Sequence, residues 1–158
     1  MAKGEEMTII AIKKPKHKSV KKLKKECREL LSRYVRLSDC LRTTGTLTYC
    51  KCISCMRVID YKTAQAGHLV DCRHSATLFN LMNVNAQCPR CNVFLDGNIL
   101  QYRRALIALY SEEEVNELED KATEIKQFTI PELEELKADF TKKIKELLKQ
   151  ETAGALIE

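Results

Sequence analysis

The 158-residue sequence contains no tryptophan, only three prolines and five glycines, and just 6% aromatic residues. So few breakers leave room for long helices, and so few rings mean that the core is assembled from aliphatic side chains. No apolar run approaches the roughly 18 residues of a membrane span, which excludes transmembrane helices. The opening MAKGEEMTII is charged and lacks the apolar stretch of an export signal, so a reducing, cytoplasmic setting and no membrane partner are expected. Acidic residues are also scarce in the first two-thirds. Residues 1–110 hold 20 Lys/Arg against 8 Asp/Glu, net +12, whereas residues 111–158 hold 7 against 14, net −7. A basic body with an acidic tail is the imbalance of a nucleic-acid binder carrying a separate helical appendage.

At 44% hydrophobic the chain is too apolar for wholesale disorder, and its length suits one compact domain with an appendage. Residues 1–17 read as a flexible basic arm. The stretch Lys13 to Lys25 concentrates Lys13, Lys14, Lys16, Lys18, Lys21, Lys22, Lys24 and Lys25. From Ser19 to Leu37 the apolar positions Val20, Leu23, Cys27, Leu30, Leu31, Tyr34 and Val35 recur at helical spacing. Lysines at a helix start oppose the macrodipole, so either phosphate contact or plain solubility explains them. Residues 38–50, rich in Thr and Ser, predict a loop. The β-branched stretches 57–61 and 68–70 around a turn at 62–67 predict a small hairpin, and residues 72–87 predict a long ordered loop. A helical pattern follows Cys91, broken at Asp96-Gly97. Capping boxes at Ser111 and Thr129, the second with Pro131 in its first turn, open a pair of helices across 111–150. The stripe Leu133, Leu136, Phe140, Ile144, Leu147, Leu148 would pack on the chain's own core or form a homodimer seam. Residues 151–158 are expected to fray.

Among eight cysteines, Cys52-Ile-Ser-Cys55 and Cys88-Pro-Arg-Cys91 stand out. Two C-x-x-C pairs bring four thiolates onto one ion, which makes structural Zn²⁺ the leading expectation over a redox pair or buried small hydrophobes. Cys50 competes with Cys52 as a ligand, while Cys27, Cys40 and Cys72 are taken as spectators. A zinc with four sulfurs has no open position, so any chemistry lies beside it.

Gly67-His68, then Asn83 five residues before Cys88, then Asn92 directly after Cys91, is similar to the ββα-metal (HNH) nuclease motif in an H-N-N form. The terminal Asn is also seen in phage endonuclease VII. More closely, Arg36-Leu37-Ser38-Asp39, Cys52-Ile53-Ser54-Cys55, Ala66-Gly67-His68, Gln87 to Asn92, Gly97-Asn98 and Tyr102-Arg103 resemble the NinG (Rap) recombination proteins of lambdoid phages. The likeness covers roughly residues 30–120. It implies an α+β fold: a zinc-bound treble-clef ββα-metal core over 18–110, flanked by a basic N-terminal helix and C-terminal helices. It also implies a phage-encoded DNA endonuclease acting inside a bacterial host on branched DNA such as D-loops and Holliday junctions. His68 would be the general base, Asn92 a ligand of catalytic Mg²⁺ or Mn²⁺, and Asn83 a pin for the loop. Arg73, Arg90 and Arg103 are candidate phosphate clamps, with Arg103 slightly favoured. His74 and Asn85 are possible substitutes, and Asp96 reads as a turn residue. Many HNH sites carry an acidic metal ligand just before the first His, where this chain has Gly67. Strand alternation puts Asp71 on the opposite face, leaving the second ligand unassigned. Two rivals remain: a non-catalytic zinc-stabilised DNA-binding module, and an HNH nicking enzyme on linear duplex.

Overall fold

The computed structural model describes residues 19–154. The arm with Lys13, Lys14, Lys16 and Lys18 therefore lies outside the described residues, as do the last four of the tail. Helix α1 spans Val20–Thr44. Ser19 caps it by accepting from the Lys22 N–H (3.3 Å), and Gly45 closes it with its N–H on the Leu41 carbonyl (3.0 Å). The loop expected from residue 38 is thus helical to Thr44. The threonines do not break it because Thr43 and Thr44 turn their hydroxyls back onto the carbonyls of Asp39 (2.6 Å) and Cys40 (3.0 Å). Burial of Leu37, Asp39 and Cys40 supplies the reason to continue.

The strands also differ from expectation. β1 (Tyr49–Lys51) pairs antiparallel with β2 (Val58–Asp60), and the first C-x-x-C pair occupies their connecting turn. β3 (Gln65–His68) pairs with β4 (Val84–Gln87), Gln65 opposite Gln87 and His68 opposite Val84. The expected hairpin joined the wrong partners: β3 falls partly in the segment read as a turn, and β4 lies in the segment read as loop. The sequence signal failed because Asp60 makes the sharper turn. Its carbonyl accepts from Thr63 and Ala64, and its carboxylate from the Lys62 N–H (2.7 Å). That turn passes the chain from one two-stranded sheet to the other.

A wide helical turn at Arg90–Phe94 leads through Gly97, at φ 83°, into α2 (Ile99–Leu109). Only glycine adopts that backbone cheaply, so the break sits where Asp96-Gly97 marked it. α3 (Glu112–Asp120) and α4 (Ile130–Gly154) begin at their expected caps: Ser111 accepts from the Glu114 N–H (3.1 Å) and Thr129 from the Glu132 N–H (3.4 Å). α4 continues four residues into the stretch expected to fray.

The apolar stripe of α4 lies along α1. Leu133 packs with Leu23 and Cys27, Phe140 with Leu31, Val35 and Val84, and Ile144 with Leu37 and Leu47. A second core joins Ile53, Leu69 and Val70 to Tyr102 and Leu106 of α2 and to Val115 and Leu118 of α3. Between them, β4 is buried along its whole length. The buried carboxylate of Asp39 accepts from the Ala86 N–H (2.6 Å) and is neutralised by Arg42 (2.6 Å), while the Ala86 carbonyl accepts from the Ile53 N–H (2.9 Å). This clamps helix, sheet and cysteine turn to one another.

Candidate metal centre and the cleft beside it

Cys52, Cys55, Cys88 and Cys91 bring their Sγ atoms within 4.8 Å of one another. The Cys55–Cys88 separation is 3.8 Å, the edge of a tetrahedron with metal–sulfur bonds of about 2.3 Å. The turn is shaped by backbone: Cys52 N–H donates to the Arg57 carbonyl (2.9 Å), and Met56, at φ 59°, donates to the Cys52 carbonyl (2.8 Å). On the other side Cys91 N–H (3.4 Å) approaches Cys88 Sγ, and Asn98 Nδ2 (3.4 Å) approaches Cys91 Sγ. Burial raises the Cys52 thiol and pushes Cys91 up to about 12. At Cys55 burial also acts upward, but the Arg57 backbone and the neighbouring cysteines outweigh it, and that thiol is lowered. Four sulfurs crowded this closely are the donor set for a soft divalent ion such as zinc. Cys50 is not part of the cluster; it packs against Cys40 and Ala64, with its thiol pushed up to about 12, first by burial. Cys27 and Cys40 are buried apolar partners, and Cys27 donates to the Leu133 carbonyl (3.1 Å).

Next to the cluster, His68, Asn92, Asp71, Arg73, Asp96 and Gly97 are among the residues lining one cleft of about 490 Å³. His68 ends β3. Its Nε2 is buried and has no hydrogen-bond partner among the described residues. Burial first, then the charge of Arg28, hold the imidazole pKa below its ordinary value, against the Leu78 backbone and Asp71. The ring is therefore neutral near pH 7. Asn92 sits on the wide turn and donates from Nδ2 to Gln65 Oε1 (2.8 Å), leaving Oδ1 for another partner. Asn83 is fully buried. It accepts from the Val70 N–H (2.7 Å) and donates to the carbonyls of Val70 (2.9 Å) and Thr77 (3.2 Å), pinning the loop that follows His68.

Asp71 was expected to face away from His68 by strand alternation. The strand ends at His68, alternation stops with it, and Asp71 lines the same cleft. Its carboxyl is held below the usual range by the Arg73 backbone and guanidinium, the latter at 2.9 Å. Asp96, a turn residue at φ 47°, also borders the cleft. His74 is tied to the Ala122 carbonyl (2.9 Å), and Asn85 to the Met82 carbonyl (3.1 Å) and the Tyr102 hydroxyl (3.1 Å).

A larger groove of about 1060 Å³ shares His68, Ala66, Cys72 and Arg28 with the first and is lined by Lys21, Lys24, Lys25 and Arg36 of α1. Lys22 is exposed outside that lining. Arg73 reaches the cleft, and Arg90 is exposed on the wide turn outside both linings. Arg103 is elsewhere: its guanidinium pairs with Glu119 (3.0 Å) and joins α2 to α3.

Several residues that build the site escaped the sequence reading. The buried Tyr102 hydroxyl lies 2.9 Å from the Gly67 carbonyl and 3.2 Å from that of Asn83, tying the His68 strand to the pinned loop. Asp39, Gln65 and Arg28 were missed because their roles depend on partners far along the chain. Only the run Arg36 to Asp39 hinted at one of them.

The described residues thus form a small α+β protein with two two-stranded sheets and a four-thiol site able to hold a metal such as zinc, in a chain with a basic body. A family model described as the bacteriophage lambda NinG protein matches residues 2–151, and the chain belongs to the NinG family. It is 32% identical over 105 residues to the protein ninG of Escherichia phage lambda, covering 66% of this chain and 50% of that protein. The ninG proteins of Escherichia phage 933W and Enterobacteria phage VT2-Sa are each 30% identical, over 66% of this chain and 51% of theirs. The chain spans about half the length of the curated relatives it matches. No solved structure matches it. No helix among the described residues is long and apolar enough to cross a membrane.

Proposed function

We propose that this chain is a metal-dependent DNA endonuclease of HNH (ββα-metal) type on a treble-clef zinc core, hydrolysing phosphodiesters at branched DNA in phage recombination. The observation that carries the reading is the meeting of His68 and Asn92 in one cleft beside the four thiols. A zinc ion there would fasten the β1–β2 turn to the start of the wide helical turn, with no open position for substrate. A hard divalent ion, Mg²⁺ or Mn²⁺, held by the Asn92 carboxamide would supply positive charge where the phosphorane and leaving oxygen develop it. The neutral imidazole of His68 takes the proton of the attacking water, and no hydrogen bond from the described residues competes for its Nε2. Asn83 touches no substrate; it holds the loop and strand that aim His68.

The DNA backbone would follow the α1 groove, where Lys21, Lys24, Lys25, Arg28 and Arg36 line the wall. Arg28 lines both clefts and suits a phosphate next to the scissile one, whereas Arg103 would first have to leave Glu119. A homodimer on a two-fold junction would need a surface other than the α4 stripe, which α1 covers. The reading places the protein in the bacterial cytoplasm, with DNA as its partner.

The test incubates the zinc-loaded protein with four-way, D-loop and linear duplexes, with and without Mg²⁺ or Mn²⁺, beside His68→Ala. Metal-dependent cutting of the branched substrates that His68→Ala abolishes is expected. Binding without cutting under either ion leaves a zinc-stabilised DNA-binding module instead. Equal cutting of linear DNA removes the branch preference.

A further inference from the structure

In many HNH sites the residue before the general-base histidine is acidic and coordinates the metal. Here that residue is Gly67, and its space is filled. A Cβ built on Gly67 would overlap the carboxamide oxygen of Gln87. Gln87 is fully buried at the end of β4. Its Nε2 donates to Ser54 Oγ (2.7 Å) and to the Gly97 carbonyl (2.7 Å). A carbonyl only accepts, so the nitrogen must face Gly97 and the amide cannot be flipped. Oε1 is then left buried without a hydrogen-bond partner among the described residues. Such an orphan is costly, and natural structures rarely keep one without a use.

Gln87 is enclosed behind the cleft wall, and its bonded neighbours reach the cleft. Gln87 is the register partner of Gln65, whose own carboxamide holds Asn92. Gly97, which takes the Gln87 amide, lines the cleft with His68 and Asn92. We propose that the Gln87 carboxamide oxygen is the second protein ligand of the divalent ion held by Asn92, standing in for the acidic side chain absent at Gly67. The assignment rests on the nuclease reading above. Two neutral carboxamide oxygens suit a hard cation that keeps its remaining positions for water and phosphate. The rival donors differ in kind: Asp71 is engaged by Arg73, and Asp96 is an exposed turn carboxylate.

The experiment measures Mn²⁺ binding to the zinc-loaded protein by electron paramagnetic resonance, with zinc content and helicity as checks. Gln87→Ala is expected to weaken Mn²⁺ binding about tenfold or more. Combining Gln87→Ala with Gly67→Asp, which restores a carboxylate in the vacated space, is expected to recover it. Binding unchanged in Gln87→Ala but lost in Asn92→Ala or Asp96→Ala overturns the assignment and leaves the nuclease reading standing. Binding indifferent to both Asn92→Ala and Gln87→Ala overturns the metal site as a whole. Should Gln87→Ala lose its zinc, the double variant decides: recovered Mn²⁺ binding supports the assignment, and none refutes it.

Discussion

The two halves of this molecule are held together by different physics. α1 and α4 meet along an aliphatic seam with Phe140 at its centre, its ring 6.2 Å from that of Tyr34. The cysteine turn, β3, β4 and the wide turn instead gather around four sulfurs and buried amides: Asn83, Asn85 and Gln87 are all enclosed. A seam of that kind tolerates small errors of position, because apolar contact is non-directional. Sulfur ligation and buried amide bonds do not tolerate them, since each has a fixed direction and a penalty when unmet. The candidate chemistry sits in the directional half, where His68 and Asn92 need to be held within a fraction of an ångström.

The comparison yields outcomes that separate the halves. The largest belongs to the metal: ligation in small zinc domains is on the order of 10 kcal/mol. Chelation, or Cys88→Ser, is expected to strip hydrogen-exchange protection from β1 through the wide turn and abolish any DNA cutting, while α1 and α4 stay protected. Collapse of the whole chain together would show that the halves are one cooperative unit. Next comes Phe140→Ala, expected to cost about 3–5 kcal/mol in denaturant unfolding while leaving zinc content unchanged. Asn83→Ala follows at about 2 kcal/mol, because it strands the Val70 N–H and the carbonyls of Val70 and Thr77. It is expected to slow cleavage while DNA binding holds.

The smallest effect is set by protons. With its folded pKa depressed, first by burial, His68 is more than half neutral at about pH 6.5, the ordinary histidine value. Single-turnover cleavage at saturating metal is therefore expected to keep more than half its rate at that pH and to fall as pH drops through the lower folded value. Stability follows the same sign: below about pH 6.5 the unfolded chain takes the proton first, so the fold weakens as the solution becomes more acidic. A rate that halves near pH 7.5 would contradict this account of His68.

What the sequence disclosed divides along the same line. Caps at Ser111 and Thr129, the break at Gly97 and the α4 stripe were readable because each is local and periodic. The four cysteines were readable because their spacing is itself the chemistry. Strand pairing was not, since β3 and β4 are four residues each and find one another across a 15-residue gap without an alternating pattern. The last turns of α1 were missed because Thr and Ser suggest a loop unless the burial of Leu37 and Cys40 is known. The roles of Tyr102 and Gln87 lie in side-chain bonds to distant backbone, to which composition is blind.

The bonds at Ala86 have a further result. A two-stranded sheet has outer edges, and a bare edge invites another chain to add a strand. At Ala86 the outward N–H is taken by the Asp39 carboxylate and the outward carbonyl by the Ile53 amide, so neither is open to a stranger. The helix and the cysteine turn thereby act as a cover against self-association, and Asp39→Ala would expose a templating surface as well as loosen a contact.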